Sequence, residues 1–375
     1  MLGRNVKQQP PFGAVFVGAA IFVSVTLFNG ERIARSKLFV WRAFKCCGLS
    51  SIAILLAACG ERAAFQISGM AQGTTYHITV VADKNAAEQA ALKKQIEDRL
   101  SAIDSALSNY RDDSELSRFN RAAVGEWISL GTDLYHVLKS SQDISAACAG
   151  VFDVTIAPLV DLWGFGAKGH RADLPGADAI AAAKANVDYR FLELDKTAPR
   201  ARKNHPLRID VNGIAQGYTV DRLAELLSAQ GYKNFLVEVG GELRLVGANA
   251  QSLPWHIGIE KPTDGLGDVQ QAISGTNIGI TTAGDYHDYF EKDGMRYSHT
   301  IDPTTGRPIA HRLASVTVIG ASAEYADGWD TALEVMGPER GYAFAERQHM
   351  AAYFIIRTDK GFTVRYTAEF ARYLH

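Results

Sequence analysis

Three oxygen-bearing side chains in ADGWDTALEVMG, residues 326–337, carry the sharpest chemical signal in this 375-residue chain. On a helix Asp327 and Asp330 are i and i+3, while Asp327 and Thr331 are i and i+4, so their oxygens can face one way. Two carboxylates and a hydroxyl suit a hard cation such as Mg²⁺, which keeps waters and takes phosphate oxygens from a substrate. The same spacing equally describes a solvated acidic stripe, with Asp327 favouring the dipole in the first helical turn. In SHTIDPTTGRP, residues 298–308, His299 precedes a turn marked by Asp302-Pro303 and Thr305-Gly306. Imidazole exchanges protons near neutral pH, so His299 is a candidate base or an incidental member of a surface hairpin.

Other segments offer places for a ligand. In IDVNGIAQGYTVDRL, residues 209–223, a strand ending at Asp210-Val211 leads to Gly213 and Gly217 at a helix start. Glycines there allow close backbone approach, and helix N-termini favour anions such as phosphate; plain strand-to-helix packing would read the same. Gly240-Gly241 in LVEVGGELRLVG reads as a hairpin turn. Tyr110 and Met70 are a ring and a thioether on loop-like segments; either can pack on a flat heterocycle, and ordinary core is the favoured reading of each taken singly.

Composition narrows the function classes. A formal net charge of −2 gives no concentrated basic surface for nucleic acid. The ten histidines include no HExxH and the four cysteines no C-x-x-C, so zinc of the usual spacing is not indicated. Cys46, Cys47 and Cys59 crowd the first sixth of the chain, which argues against a disulfide framework, and Cys148 reads as a small buried hydrophobe. Neither a GxGxxG between strand and helix nor a Walker A loop is present.

The elements that must position these residues follow from periodicity. Residues 65–82 predict a hairpin and 86–107 a helix with Leu92, Ile96, Leu100, Ile103 and Leu107 on one face. A helix near 132–149 turns Leu134, Val137, Leu138, Ile144 and Ala147 inward. Residues 151–166 read as loop, 178–186 as helix, and 189–194 and 207–211 as strands. A helix runs from Gly213 to about Gln230. Strands follow at 234–239, 242–247, 255–260, 269–273, 277–281, 286–290 and 296–300, then at 313–319. A helix at 322–336 ends at Gly337-Pro338, a short helix follows, and strands at 351–357 and 362–366 close the chain. Without strict βαβ alternation, this predicts an α+β fold with a mixed, mostly antiparallel sheet and packed helices. No linker divides residues 65–375.

The N-terminus reads as an address. Residues 13–28 are apolar but short for about 30 Å of hydrocarbon. Arg42 and Lys45, the run GLSSIAILLAA and Cys59 then make a bacterial secretory signal. Leu56-Ala57-Ala58-Cys59 resembles a lipobox, which implies lipidation at Cys59, a leader over 1–58 and a mature domain over 59–375.

In order along the chain, GMAQGTTYHI, SNYRDDSELSRFN, GVFDVTIAPLVDLWGFG, IDVNGIAQGYTVD, VEVGGELRLVG, TTAGDYHDYFEKDGMRYSHTIDPTTGRP and ADGWDTALEVMG resemble the ApbE family of FAD:protein FMN transferases. The resemblance covers residues 65–357. It implies that Met70 and Tyr110 pack on the flavin and that Val151, Phe152, Asp153 and Asp210 line the FAD site, with Ile301 near it through its backbone. It implies Mg²⁺ held by Asp327, Asp330 and Thr331 with a backbone carbonyl near Gly213, and His299 as base. Family members often have GIAKGYA; Gln216 stands at the Lys position and brings hydrogen bonds but no charge to a pyrophosphate. The implied reaction moves FMN from FAD to a Thr or Ser hydroxyl of an exported flavoprotein subunit of NqrC or RnfG type, releasing AMP. The implied location is the bacterial periplasm, lipid-anchored to the membrane. Two rivals remain open: hydrolysis of FAD to FMN and AMP, and a non-enzymatic flavin-binding lipoprotein.

Overall fold

The computed structural model describes residues 62–374 except 168, 170–172, 264–267 and 287–288. Cys59, the lipobox and both N-terminal apolar stretches lie outside the described residues. Eight strands form one sheet: β1 (Phe65–Ala71), β2 (Thr74–Val80), β3 (Phe235–Val239), β4 (Glu242–Val246), β5 (Ile278–Gly284), β6 (Leu313–Gly320), β7 (Ala351–Thr358) and β8 (Gly361–Tyr366). They lie side by side in chain order, and each neighbouring pair is antiparallel. The fold is α+β, as the element order predicts.

Helices cover one face. Helix α1 (Ala86–Leu107) opens on a capping box: Asn85 Oδ1 accepts from Ala87 N and Glu88 N, and Glu88 Oε2 accepts from Asn85 N, each at 3.0 Å. Its expected apolar face is buried in full. Helix α2 (Thr132–Ala147) buries Leu134, Val137, Leu138 and Ile144, but Ala147 is exposed, and Ser141 and Ser145 take the inward places. The Ser141 hydroxyl satisfies itself on the Val137 carbonyl at 2.7 Å, so a polar residue fits inside. The paired strands Trp255–Glu260 and Val269–Gly275 cover the opposite face through Trp255, Ile257 and Ile273.

Three local expectations are corrected. Residues 151–166 are not all loop: Ala157–Trp163 is helical, because Pro158 sits in the first turn, where no N–H is needed, and Gly164 at φ 85° ends it. Residues 207–211 form no strand. The segment pairs only through an isolated parallel bridge of Arg208 with Ile156, and the Asn120 side chain takes both the Ile209 N–H (2.7 Å) and its carbonyl (2.9 Å). Strand 189–194 shrinks to Leu192–Leu194 behind a 3-10 turn, Tyr189–Phe191, started by the Asp188 carboxylate on Arg190 N. Leu192–Leu194 forms a small sheet with Ile128–Ser129 and Arg200–Lys203, too short for periodicity to register.

Helices α3 (Asn212–Ala229) and α4 (Ala323–Arg347) carry most of the candidate residues. They approach closely because Gly217 has no side chain: a Cβ there would lie 2.4 Å from the Ala323 carbonyl oxygen and 2.7 Å from Asp327 Cβ. From α3, Asp221 caps α4, accepting from Ala323 N (3.1 Å) and Glu324 N (2.8 Å). The expected stop at Gly337-Pro338 is a kink inside α4, with Gly337 at φ 77°. Pro338 has no N–H for the Glu334 carbonyl, and His311 Nε2–H donates to it at 2.8 Å.

Gly217→Ala should therefore force α3 and α4 apart and destabilise the protein by ~1–3 kcal/mol. Urea unfolding checks this. An unchanged midpoint would mean the helices are not held at that distance.

Candidate active site

The first turn of α3 is irregular, and its irregularity makes the site. Gly213 lies at φ −80°, ψ 17°, outside helical values. In a regular helix the Gly213 carbonyl and the Gly217 N–H would be partners. Here each meets a side chain of α4. Gly217 N donates to Asp327 Oδ2 at 2.7 Å. The Gly213 carbonyl stands 3.5 Å from Thr331 Oγ1, which is itself 3.5 Å from Asp330 Oδ1.

Both of these separations from Thr331 Oγ1 are long for strong hydrogen bonds. Together with the Asp330 carboxylate, the Thr331 hydroxyl and the Gly213 carbonyl are hard oxygen donors of the kind that would hold Mg²⁺. A Cβ on Gly213 would sit 3.0 Å from Thr331 Oγ1 and 3.4 Å from Phe152 Cε2, so a larger residue would have to push Thr331 back by a few tenths of an ångström. Among the described residues no group of three or more His, Cys, Asp or Glu is close enough to hold a metal alone. A cation here must use neutral oxygens as well, and the hydroxyl and carbonyl supply them.

The acidic stripe is not solvated. Asp327 is 6% exposed and Asp330 2%. Burial raises the Asp327 carboxyl to about 7, against the pull of Gly217 N–H. Burial and then the Asp327 charge push Asp330 well above the usual carboxylate range. Glu242, which sequence reasoning passed over as part of a hairpin, joins them from β4. Burial and then the charges of Asp327 and Asp330 raise it well above its ordinary value, and its buried Oε2 has no hydrogen-bond partner. The signal was legible in principle: Glu242 directly follows the Gly240-Gly241 turn, in a mostly apolar run whose other charged residues are Glu238 and Arg244.

The remaining expected residues fall around this centre. A Cβ on Gly240 would lie 2.3 Å from Gln216 Nε2 and 3.0 Å from Thr74 Cγ2, so the Gly240-Gly241 turn, α3 and β2 meet there. Gln72 Nε2 donates to Thr219 Oγ1 at 3.1 Å, bringing the β1–β2 turn onto α3. Met70 and Tyr110 are 70% and 60% exposed, which overturns core as their reading. Exposed side chains of that size are available to a flat ring. Phe152 is buried under the α3 kink, and Val151 beside it is half-buried. Asp210 keeps part of its surface exposed, accepts from Asn212 N at 2.9 Å, and is raised to about 6 by burial. Ile301 buries its side chain with Leu159, Trp163 and Ile180, so only its backbone faces elsewhere.

Asp153 ties its own loop to the Tyr189–Phe191 turn. Oδ1 accepts from Thr155 N (2.8 Å) and Thr155 Oγ1 (2.7 Å), and Oδ2 from Tyr189 N (2.7 Å). His299 is half-buried, with the Phe165 ring edge-on at 6.4 Å. Its neighbour Thr300 donates to Glu334 Oε2 on α4 at 3.0 Å, which ties this segment to the acidic helix.

Known proteins resemble this chain in sequence and in fold. The ApbE family profile matches residues 72–354. Over 324 residues the chain is 41% identical to an FAD:protein FMN transferase of Vibrio cholerae, covering 86% of this chain and 96% of that one. The FAD:protein FMN transferase of Haemophilus influenzae is 38% identical over 329 residues, covering 86% and 95%. The solved flavin transferase ApbE from Vibrio cholerae superposes with a TM-score of 0.77 at 39% identity, covering 83% of this chain and 99% of that one. The apo form of Pseudomonas stutzeri flavinyl transferase ApbE gives 0.77 at 38% identity, covering 83% and 97%.

Burial raises the Asp153 carboxyl from 3.8 to about 6 despite its three hydrogen bonds. The folded state therefore binds this proton more tightly than the unfolded one, and the group's contribution falls as pH rises from about 4 to about 6. Relative to Asp153→Asn, the wild type should lose roughly 3 kcal/mol over that interval and change little above it. Urea midpoints at successive pH values read this; a difference independent of pH would refute it.

Proposed function

The chain belongs to the ApbE family of enzymes, and from that premise we propose that it transfers FMN from FAD to a Thr or Ser hydroxyl of an exported flavoprotein, with Mg²⁺, releasing AMP. The observation that carries this reading is the convergence of Asp330, Thr331 and the Gly213 carbonyl beside buried Asp327 and Glu242. Plain flavin binding has no use for so many buried acids.

Asp327, Asp330, Thr331 and the Gly213 carbonyl would hold the cation. Bound Mg²⁺ supplies positive charge to the FAD pyrophosphate and to the departing phosphate of AMP. Met70 and Tyr110 offer the flavin exposed thioether and ring surface. Gln216 offers amide donors where family members often have lysine, so neutralisation of the pyrophosphate rests on the cation site. The acceptor oxygen attacks the FMN-side phosphorus; that O–P bond forms as the P–O bond to AMP breaks. His299 takes the hydroxyl proton. Positioning and electrostatics account for most of such catalysis.

The leader over residues 1–58, lipidation at Cys59 and a periplasmic, membrane-anchored location for 59–375 belong to the same proposal. They would hold the enzyme beside membrane-bound acceptors of NqrC or RnfG type.

Intact mass of a co-expressed acceptor domain tests the class: a gain of one FMN phosphoester is expected. Asp330→Ala should lower Mg²⁺-dependent transfer by at least ~100-fold, as loss of a charge-stabilising group does. AMP release without any acceptor gain would instead indicate hydrolysis, and full transfer by Asp330→Ala would remove the cation assignment.

A further inference from the structure

Helix α4 carries a fourth polar residue on its acidic face. Asp327, Asp330, Thr331 and Glu334 stand at i, i+3, i+4 and i+7, so they share one stripe of a helix otherwise filled by residues such as Ala332, Leu333, Val335 and Met336. Glu334 is 2% exposed, and its Oε1 has no hydrogen-bond partner. A position that only needed filling would take an apolar side chain, and a buried carboxyl with one orphan oxygen calls for an explanation.

Its other oxygen supplies one. Glu334 Oε2 accepts from Thr300 Oγ1 at 3.0 Å, and Thr300 is itself buried. Thr300 also receives structure from behind: its N–H donates to Ser298 Oγ at 3.1 Å, and its carbonyl accepts from Ile309 N at 3.0 Å. The residue between Ser298 and Thr300 is His299. Glu334 is in turn fixed along α4, because the Pro338 kink leaves its carbonyl to His311 Nε2. One hydrogen bond thus links the segment bearing His299 to the helix bearing the acids, about 6 Å along the axis from Asp330.

We propose that the Thr300–Glu334 hydrogen bond positions His299 relative to the acidic face of α4, making Thr300 and Glu334 positioning residues for the transfer. This rests on the function proposed above, with His299 as base. Burial raises the Glu334 carboxyl to about 8, so at neutral pH it is mainly the neutral acid, and glutamine is its closest mimic. A glutamine carbonyl can still accept from Thr300.

The test uses the full chain with FAD, Mg²⁺ and an acceptor domain. Thr300→Val and Glu334→Leu should each lower kcat ~10–100-fold, the size expected when a reacting group is misplaced, with KM for FAD changed less than about threefold. Glu334→Gln should keep kcat within about threefold of wild type. The double variant Thr300→Val/Glu334→Leu should be no slower than the slower single one, because both remove the same contact. In flavin- and metal-free protein, the His299 ring resonance, identified by its loss in His299→Ala, should stay sharp in Glu334→Gln and broaden or shift in Thr300→Val. Thr300→Val keeps the shape of the side chain, so it reports even if Glu334→Leu fails to fold. Wild-type kcat in Thr300→Val, additive losses, or equal losses in kcat and FAD affinity would overturn the positioning role. Wild-type protein that transfers no FMN, or His299→Ala at full activity, would instead overturn the underlying reading of the site.

Discussion

Glu242, Asp327 and Asp330 are buried together, and none of the charges acting most strongly on them is positive. Asp327 raises the proton affinity of Asp330, both raise that of Glu242, and desolvation raises all three. Such a cluster is held at the expense of stability unless something positive occupies the space beside it. The proposed cation would supply the positive partner that, among the described residues, does not act strongly on this cluster. Much of the local architecture is intelligible as the means of keeping these acids in place.

Two backbone features keep them there. Gly217 lets α3 and α4 meet at a distance no side chain would permit, and Asp221 caps α4 from across that contact. The Gly213 kink then turns a carbonyl toward Thr331, while the Gly217 N–H goes to Asp327. One break in α3 therefore orders both an acid and a neutral oxygen donor. The long sheet sets the frame: β4 delivers Glu242, and the connection from β5 to β6 delivers Thr300 to Glu334.

Much of this was legible in the sequence. The face of α1, the spacing of Asp327, Asp330 and Thr331, and the Gly240-Gly241 turn follow from local periodicity and turn chemistry, and the structure keeps them. Burial of the acids was not legible, because spacing alone describes a solvated stripe equally well. Nor was the role of Asn120, whose side chain, from 89 residues away, occupies both backbone groups of Ile209 where a strand was expected. Glu334 could have been found by extending the stripe one step to i+7. Met70 and Tyr110 show the opposite failure: taken singly they look like core, and only the three-dimensional structure leaves them uncovered.

The most direct measurement of the central claim is thermal unfolding of wild type and Asp330→Asn across pH 5–8, with and without Mg²⁺ and FAD. A carboxyl whose folded pKa lies above its unfolded value costs stability increasingly as pH rises above the unfolded value. Metal-free Asp330→Asn should therefore be the more stable protein, by a margin that widens toward pH 8, and Mg²⁺ with FAD should raise the midpoint of the wild type much more than that of the variant. A variant less stable than wild type without metal, and stabilised equally by Mg²⁺ and FAD, would contradict a cation site built from these buried acids.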